Sequence, residues 1–480
     1  MPSLTILSAP DLHSLLLALT HDDITSMQRN IAEALREYST GTPDQGCSAA
    51  YQPRRTAITR RNGCTTLFMP ATTGETLGIR MVSLQDNDVA GSSIESGPAY
   101  ISRLRRESSI ADADRPSSSD HRTSVTSSSS AQSDDASSSG EATMDDSTTR
   151  KSSMPQGTVN DQGVTRLSET MGAWPGIGTR DTSPQGSVTL LNSEGLPFGL
   201  INALELTAFR TALAAMLLFN KREKVKTLSV FGAGRQAYWH IRLALTLRGS
   251  DIKRVYIFNR SFDRAASLLR DIYSPSNSSW RGDVKFTAMS TDFIEYQRIL
   301  NAAIHRSDAI FCCTPSTEPL FPAKLLTSKE GRRKGRFLCA VGSYKAHMTE
   351  LDPEILRDEV TVQPIYRHHL HRHTAPSGVI VVDSLGAALK EAGEITQAEI
   401  TPLQMVELGE LMMVRDVTAQ EPVDDGDQER EKEQANLRRW IQKGNVIYKS
   451  VGLGLMDLVT GGDLVEMAKQ RGLGTLVENF

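Results

Sequence analysis

The residues best placed to do chemistry are Gly232, Ala233, Gly234, Arg235, Gln236 and Ala237, a Gly-x-Gly-x-x-Ala run. It follows Thr227–Phe231, which has the pattern of a buried strand, and leads into a helical pattern that continues to Leu247. In that context each residue has a task. Gly232 permits a tight turn, Gly234 lets the backbone approach a pyrophosphate, and Ala237 lets helix and strand pack closely. Arg235 and Gln236 open a helix whose free N–H groups attract an anion. The next strand, Arg254–Phe258, ends in Asn259, Arg260 and Ser261. A site that prefers NAD carries an acidic residue near this point, bonded to the ribose 2′-hydroxyl. None stands at this strand end, and Arg260 suits a 2′-phosphate. The expected cofactor is therefore NADP(H), with NAD second. The plainer reading of Arg260 is a solvated surface arginine.

Other constellations carry less. His368, His369, His371 and His373 cluster locally, yet no acidic or cysteine partner adjoins them, so they read as a surface loop and no metal site is expected. A Gly-x-Ser-x-Gly nucleophile turn is lacking. The five cysteines form no CxxC pair, as expected of reduced thiols in a cytoplasmic protein. The formal charge of −4 offers no broad basic field for nucleic acid. A secretory leader and a membrane-length apolar run are both missing.

The chain has 480 residues, enough for two substantial cores. Much of residues 4–38 reads as helical, with Ile24, Met27, Ile31 and Leu35 on one face. Residues 55–84 read as short strands. The stretch 99–166 is rich in Ser, Asp and Thr, and its composition predicts a disordered insertion. Strand patterns resume near Ser187, and a helix is expected over Glu205–Lys221. Strand and helix then alternate through Thr227–Phe231, Arg254–Phe258, Val284–Ala288, Ala309–Cys313, Phe337–Val341 and Val379–Asp383. That alternation predicts an α/β fold with a parallel sheet covered on both faces. A second polar insertion, acidic, runs over 418–436. A strand at Val446–Ser450 and a helix at Asp463–Gln470 close the chain.

Taken in order, several blocks resemble the ornithine cyclodeaminase/mu-crystallin family. They are Gln52–Thr56, Met69–Ala71, Gly78–Val82 and Leu206–Thr211, then the glycine loop and Asn259–Ser261. Thr314–Pro319, Ala340–Ser343, Val382–Ser384 and Lys449–Gly452 complete the series. The resemblance implies a Rossmann-type parallel-sheet domain, 222–397, inserted in a second α+β substrate and dimerisation domain made of 1–98, 187–221 and 398–480. It implies a homodimer. It also implies that Thr314, Val341 and Gly342 join the glycine loop at the cofactor.

By the same resemblance, Arg55 and Arg210 hold a substrate carboxylate, as an arginine fork suits. Arg80 stands where the family usually has lysine. A guanidinium orients or stabilises but does not exchange protons. Tyr344 stands where ornithine cyclodeaminases place the aspartate that meets the distal amine, so it donates a hydrogen bond or walls the pocket. Asp457 either touches the nicotinamide region or caps the last turn. The reading is an NADP-dependent oxidoreductase, ketimine reductase-like, that reduces the C=N bond of a small carboxylate-bearing imine. Two alternatives stay open: ornithine cyclodeaminase, forming proline, and a non-catalytic NADP(H)- and ligand-binding protein like mu-crystallin.

Overall fold

The computed structural model describes residues 3–42, 44–61, 64–85, 185–362, 378–413 and 428–480. The Ser-rich insertion and the four histidines lie outside them. Strand β1 (Leu4–Leu7) is followed by α1 (Ala9–Leu17) and α2 (His21–Thr40). Then come β2 (Thr56–Thr59), β3 (Cys64–Thr72), β4 (Leu77–Gln85), β5 (Gln185–Leu191), β6 (Pro197–Asn202) and α3 (Ala203–Phe219). The next group is β7 (Thr227–Phe231), α4 (Arg235–Arg248), β8 (Arg254–Asn259), α5 (Phe262–Ile272), β9 (Lys285–Ser290), α6 (Tyr296–Arg306), β10 (Ala309–Cys312) and β11 (Phe337–Ala340). After these lie α7 (Pro353–Val362), β12 (Ile380–Val382), α8 (Leu385–Glu391), α9 (Gly393–Gln397) and β13 (Met405–Glu407). The chain ends with α10 (Gln428–Lys443), β14 (Val446–Lys449), α11 (Gly454–Arg471) and β15 (Thr475–Val477).

Two sheets result. A seven-stranded mixed sheet runs β15-β1-β6-β5-β4-β3-β2, and an eight-stranded sheet runs β13-β12-β14-β11-β10-β7-β8-β9. Every pairing in the larger sheet is parallel. Its strands are apolar on both faces, as a doubly covered sheet requires. Val230 packs into the main core, whereas its neighbour Phe231 packs into a second core on the opposite face. Seven of its eight strands are expected from the sequence, six of them in this sheet.

Helix α3 is buried almost all round, with 15 of its 17 residues inaccessible. Such a helix belongs inside a core rather than on a surface. It contributes Leu206, Phe209 and Phe219 to the main core, which also takes Val82 and Val188 from the smaller sheet and Val230 and Phe311 from the larger one. Asn202 starts this helix by accepting from the N–H groups of Leu204 and Glu205. Helix α2 buries Ile24, Met27, Ile31 and Leu35 as its spacing predicts.

Four expectations change. Leu4–Leu7 is a strand rather than helix, paired with β6 and β15. Strands β13 and β14 lie in the large parallel sheet, β14 between β11 and β12. The tail 398–480 is thus shared between the two sheets instead of belonging wholly to the smaller one. Local pattern shows that Val446–Lys449 is a strand but not which sheet admits it. Residues 428–436 of the acidic stretch belong to α10, where Glu, Lys, Gln and Arg are good helix formers. The closing helix starts at Gly454, well before Asp463.

Candidate functional site

The glycine loop joins β7 to α4. Gly232 adopts φ +111°, and its N–H donates to the Phe258 carbonyl at 2.8 Å. A Cβ there would stand 2.7 Å from the Cys313 carbonyl, so only glycine fits. Gly234 is different. It precedes α4 with no side-chain cap, and a Cβ on it would meet no protein atom within 4 Å. Open space in front of uncapped helix N–H groups fits a pyrophosphate. Ala237 is fully buried. Arg235 Nε donates to Glu205 Oε1 at 2.7 Å, and Gln236 Nε2 donates to the Thr207 carbonyl at 3.4 Å, so α3 braces the start of α4.

The other expected cofactor residues gather at the same edge. Asn259 and Ser261 follow β8 and are joined by a 2.8 Å hydrogen bond from Asn259 Nδ2 to the Ser261 carbonyl, while Arg260 is exposed. Thr314 follows β10, and Val341 and Gly342 follow β11. Strand order reverses between β7 and β10, which puts the glycine loop and Thr314 at the switch point of a doubly wound sheet, with the ends of β8 and β11 on either side. Tyr344 is half-buried, two residues past Gly342.

A carboxyl group that the sequence did not single out ties two of these loops together. Glu350, fully buried, accepts from the Thr314 N–H at 2.7 Å and from the Gly342 N–H at 2.6 Å. A Cβ on Gly342 would fall 2.0 Å from the Thr314 carbonyl. The Glu350 N–H donates to Glu394 at 2.8 Å, and Ser343 Oγ donates to Glu394 Oε1 at 2.6 Å. Lys449, at the end of β14, donates to the Ser343 carbonyl at 2.7 Å and lies 3.4 Å from Glu394. Burial, opposed by Lys449 and reinforced by Glu394, pushes the Glu350 carboxyl up to about 7.

The three arginines also meet. Arg80 on β4 and Arg210 on α3 share one carboxylate, Asp457 of α11. Arg80 Nη1 lies 3.3 Å from one of its oxygens and Arg210 Nε 3.2 Å from the other. Asp457 is fully buried and Arg210 nearly so. Arg80 Nε is buried without a hydrogen-bond partner. Burial pulls the Arg80 guanidinium below its ordinary range, Asp457 opposes this, and Arg210 and Arg55 reinforce it by repulsion. Arg55, half-buried, pairs with Glu391 at the end of α8. That pairing competes with the direct carboxylate role expected of Arg55.

The turn after β14 links the two groups. Gly452 adopts φ +93°, and a Cβ on it would stand 2.8 Å from Arg210 Nη2. The turn is held by Asp383, which accepts from Ser450 Oγ at 2.9 Å and from the Gly452 N–H at 2.6 Å. The parallel sheet therefore delivers its own strand end onto the arginine cluster. Of these supporting residues, Asp383, Lys449, Ser450 and Gly452 sit in the recognised sequence blocks. Glu350, Glu391 and Glu394 had no such signal.

Two further features set limits. Among the described residues no cluster of His, Cys, Asp and Glu could hold a metal, and no helix is long and apolar enough to cross a membrane.

Comparison with known proteins agrees with this geometry. The sequence profile of the ornithine cyclodeaminase/mu-crystallin family matches residues 180–420, half of the chain. The chain is 27% identical to the uncharacterised protein YGL159W of Saccharomyces cerevisiae, over 59% of this chain and 74% of that one. It is 26% identical to a Δ1-pyrroline-2-carboxylate reductase of Bacillus cereus, over 59% and 71%. In fold it is similar to the Δ1-pyrroline-2-carboxylate reductase of Thermococcus litoralis, solved with NADH and L-proline. That match has a TM-score of 0.56 and 17% identity, covering 99% of this chain and all of the other.

Proposed function

Because this chain belongs to the ornithine cyclodeaminase/mu-crystallin family, we propose that it is a nicotinamide-dependent oxidoreductase that reduces the C=N bond of a small carboxylate-bearing imine. The observation that carries this reading is the buried pair Arg80 and Arg210. They share a single carboxylate and leave Arg80 Nε without a partner, close to the strand ends of a dinucleotide fold. An unpaired buried donor is expensive, and a ligand carboxylate satisfies it.

The glycine loop and the uncapped start of α4 hold the cofactor's pyrophosphate, and Arg260 with Asn259 and Ser261 holds the adenosine ribose. The lack of an acid after β8 favours NADP over NAD. When bound, the reduced nicotinamide supplies hydride. Arg80 and Arg210 fix the substrate carboxylate and so set which imine face is presented. Neither guanidinium gives up a proton. Thr314, Val341 and Gly342, fixed by Glu350, form the floor on the cofactor side. Tyr344 stands where a cyclodeaminase has its aspartate, so this site lacks that charge partner for a distal ammonium.

A homodimer through the smaller sheet fits as well. The helices pack on the face that carries Val82, Val188 and Ile201, while Phe68, Ile79, Met81 and Leu200 on the other face belong to neither described core. All five cysteines are free, as a reducing cytoplasm would keep them.

The test is loss of NADPH absorbance with purified protein and a panel of cyclic ketimine carboxylates. Turnover that depends on the protein supports the reading. Binding of NADPH without turnover on any of them, together with turnover of ornithine with NAD, sinks it.

A further inference from the structure

The charges around the arginines bear on which imines the site admits. Among the described residues, Arg55, Arg80 and Arg210 are met by Asp457, Glu391 and Asp383. Asp457 lies between the two buried arginines. Glu391 pairs with Arg55, and Asp383, held by the turn after β14, also attracts Arg55. Three guanidinium groups thus face three carboxylates, and the formal sum is zero. A nearly neutral, largely buried cluster favours a ligand that is neutral overall. An imino acid protonated on nitrogen meets that condition with one carboxylate and one iminium charge. A second carboxylate adds a net negative charge.

Position sharpens the argument. Arg80 and Arg210 are deeply buried, so they suit the first carboxylate. Arg55 and Glu391 have side chains 28% and 27% exposed, which puts them towards the open side, where a second substituent would point. Arg55 is the cation a second carboxylate would seek, and Glu391 already stands against it as an ion pair, though Arg55 Nη2 makes no hydrogen bond. An incoming carboxylate would have to displace Glu391 and leave it beside a like charge. Rejection by an opposed charge is an effective route to selectivity.

We propose that Glu391 is a specificity-determining residue that, by engaging Arg55, restricts the site to imines with one carboxylate. The proposal rests on the imine-reductase reading of this site.

The experiment compares two cyclic amino acids that differ only in the second acid group, pyrrolidine-2-carboxylate and pyrrolidine-2,5-dicarboxylate. Their affinities for the full-length protein with NADPH are measured by calorimetry, for the natural sequence, Glu391→Gln and the double variant Glu391→Gln/Arg55→Gln. The natural protein should bind the monocarboxylate at least tenfold more tightly. Glu391→Gln should raise the ratio of dicarboxylate to monocarboxylate affinity about tenfold, and the double variant should abolish that gain. Melting temperatures identify any variant that fails to fold, and the comparison in the natural protein stands without the variants. Equal affinities in the natural protein, or a ratio that moves less than twofold in folded Glu391→Gln, overturns the proposal. Binding does not require turnover. The predicted ratios without imine reduction would keep the charge argument and remove the reductase reading.

Discussion

The protein buries two charged clusters a short way apart, and they are finished differently. At the carboxyl ends of the parallel strands, Glu350, Glu394, Ser343 and Lys449 satisfy one another, and both Glu350 oxygens are taken by backbone N–H groups. None of these four side chains has a buried polar atom left over. In the arginine cluster, two guanidinium groups divide one carboxylate, and Arg80 Nε has no partner. A saturated network holds loops in place, because breaking any member exposes another to burial without a partner. An unsaturated one is completed by a ligand. Under the proposed function, the contrast separates a group that positions from a group that binds.

The largest effect should come from the unsaturated cluster. Arg210→Ala removes a charge that the proposed function assigns to the substrate carboxylate, and it leaves Asp457 half-paired. It should lower kcat/KM by about 100-fold or more, since truncating one partner of a buried charge pair costs roughly 3–5 kcal/mol. Steady-state kinetics on the best imine checks this, and a loss under fivefold would break the comparison.

Glu350→Gln should act more mildly and on the cofactor. An amide offers a donor where a carboxylate accepted two N–H groups, so one loop is released. NADPH affinity, read by nicotinamide fluorescence, should fall about tenfold, the loss of roughly one charged hydrogen bond. In the natural protein the Glu350 carboxyl sits at about 7. Its gripping, ionised form is therefore lost as pH falls through that value, and NADPH should bind more weakly at pH 6 than at pH 8. The variant should lack this dependence. The same slope in both would remove Glu350 from the account.

Arg260→Asp tests the outer edge of the cofactor site, where the side chain is exposed and its field is screened. It should weaken NADPH binding several-fold more than NADH binding. An equal change for both would end the case for NADP.

The smallest effect concerns Glu359, a buried carboxyl outside both clusters, raised to about 8 by burial with help from Asp358. Folded, it is protonated at pH 7; unfolded, it ionises above the ordinary value of 4.5. The folded state thus binds the extra proton between those values, and stability is lost as pH rises through that window. Glu359→Gln should flatten the decline of Tm between pH 5 and 8 by a few degrees. An unchanged slope would show that burial alone does not set this acid.

Much of the frame was legible in the chain. Thr227–Phe231 is a short strand buried from Leu228 onward, and the turn after it needs φ +111° at Gly232, so strand, loop and helix announce themselves within a short window. The arginines became legible only through family resemblance, because an isolated Arg80 on a strand looks like any surface arginine. Glu350 and Glu391 gave no local signal. A glutamate in a loop, like Glu350, or at a helix end, like Glu391, is ordinary until one knows what surrounds it.

The sequence by itself determined the parallel-sheet domain, the dinucleotide loop and the absence of an acid after β8, since periodicity and backbone conformation act between near neighbours. The tertiary structure alone decided that β14 enters the large sheet, that Glu391 takes Arg55, and that Asp457 serves two arginines. Those two arginines lie 377 and 247 positions away along the chain. Charges buried together are chosen by which surfaces the fold brings into contact, and no local pattern records that choice.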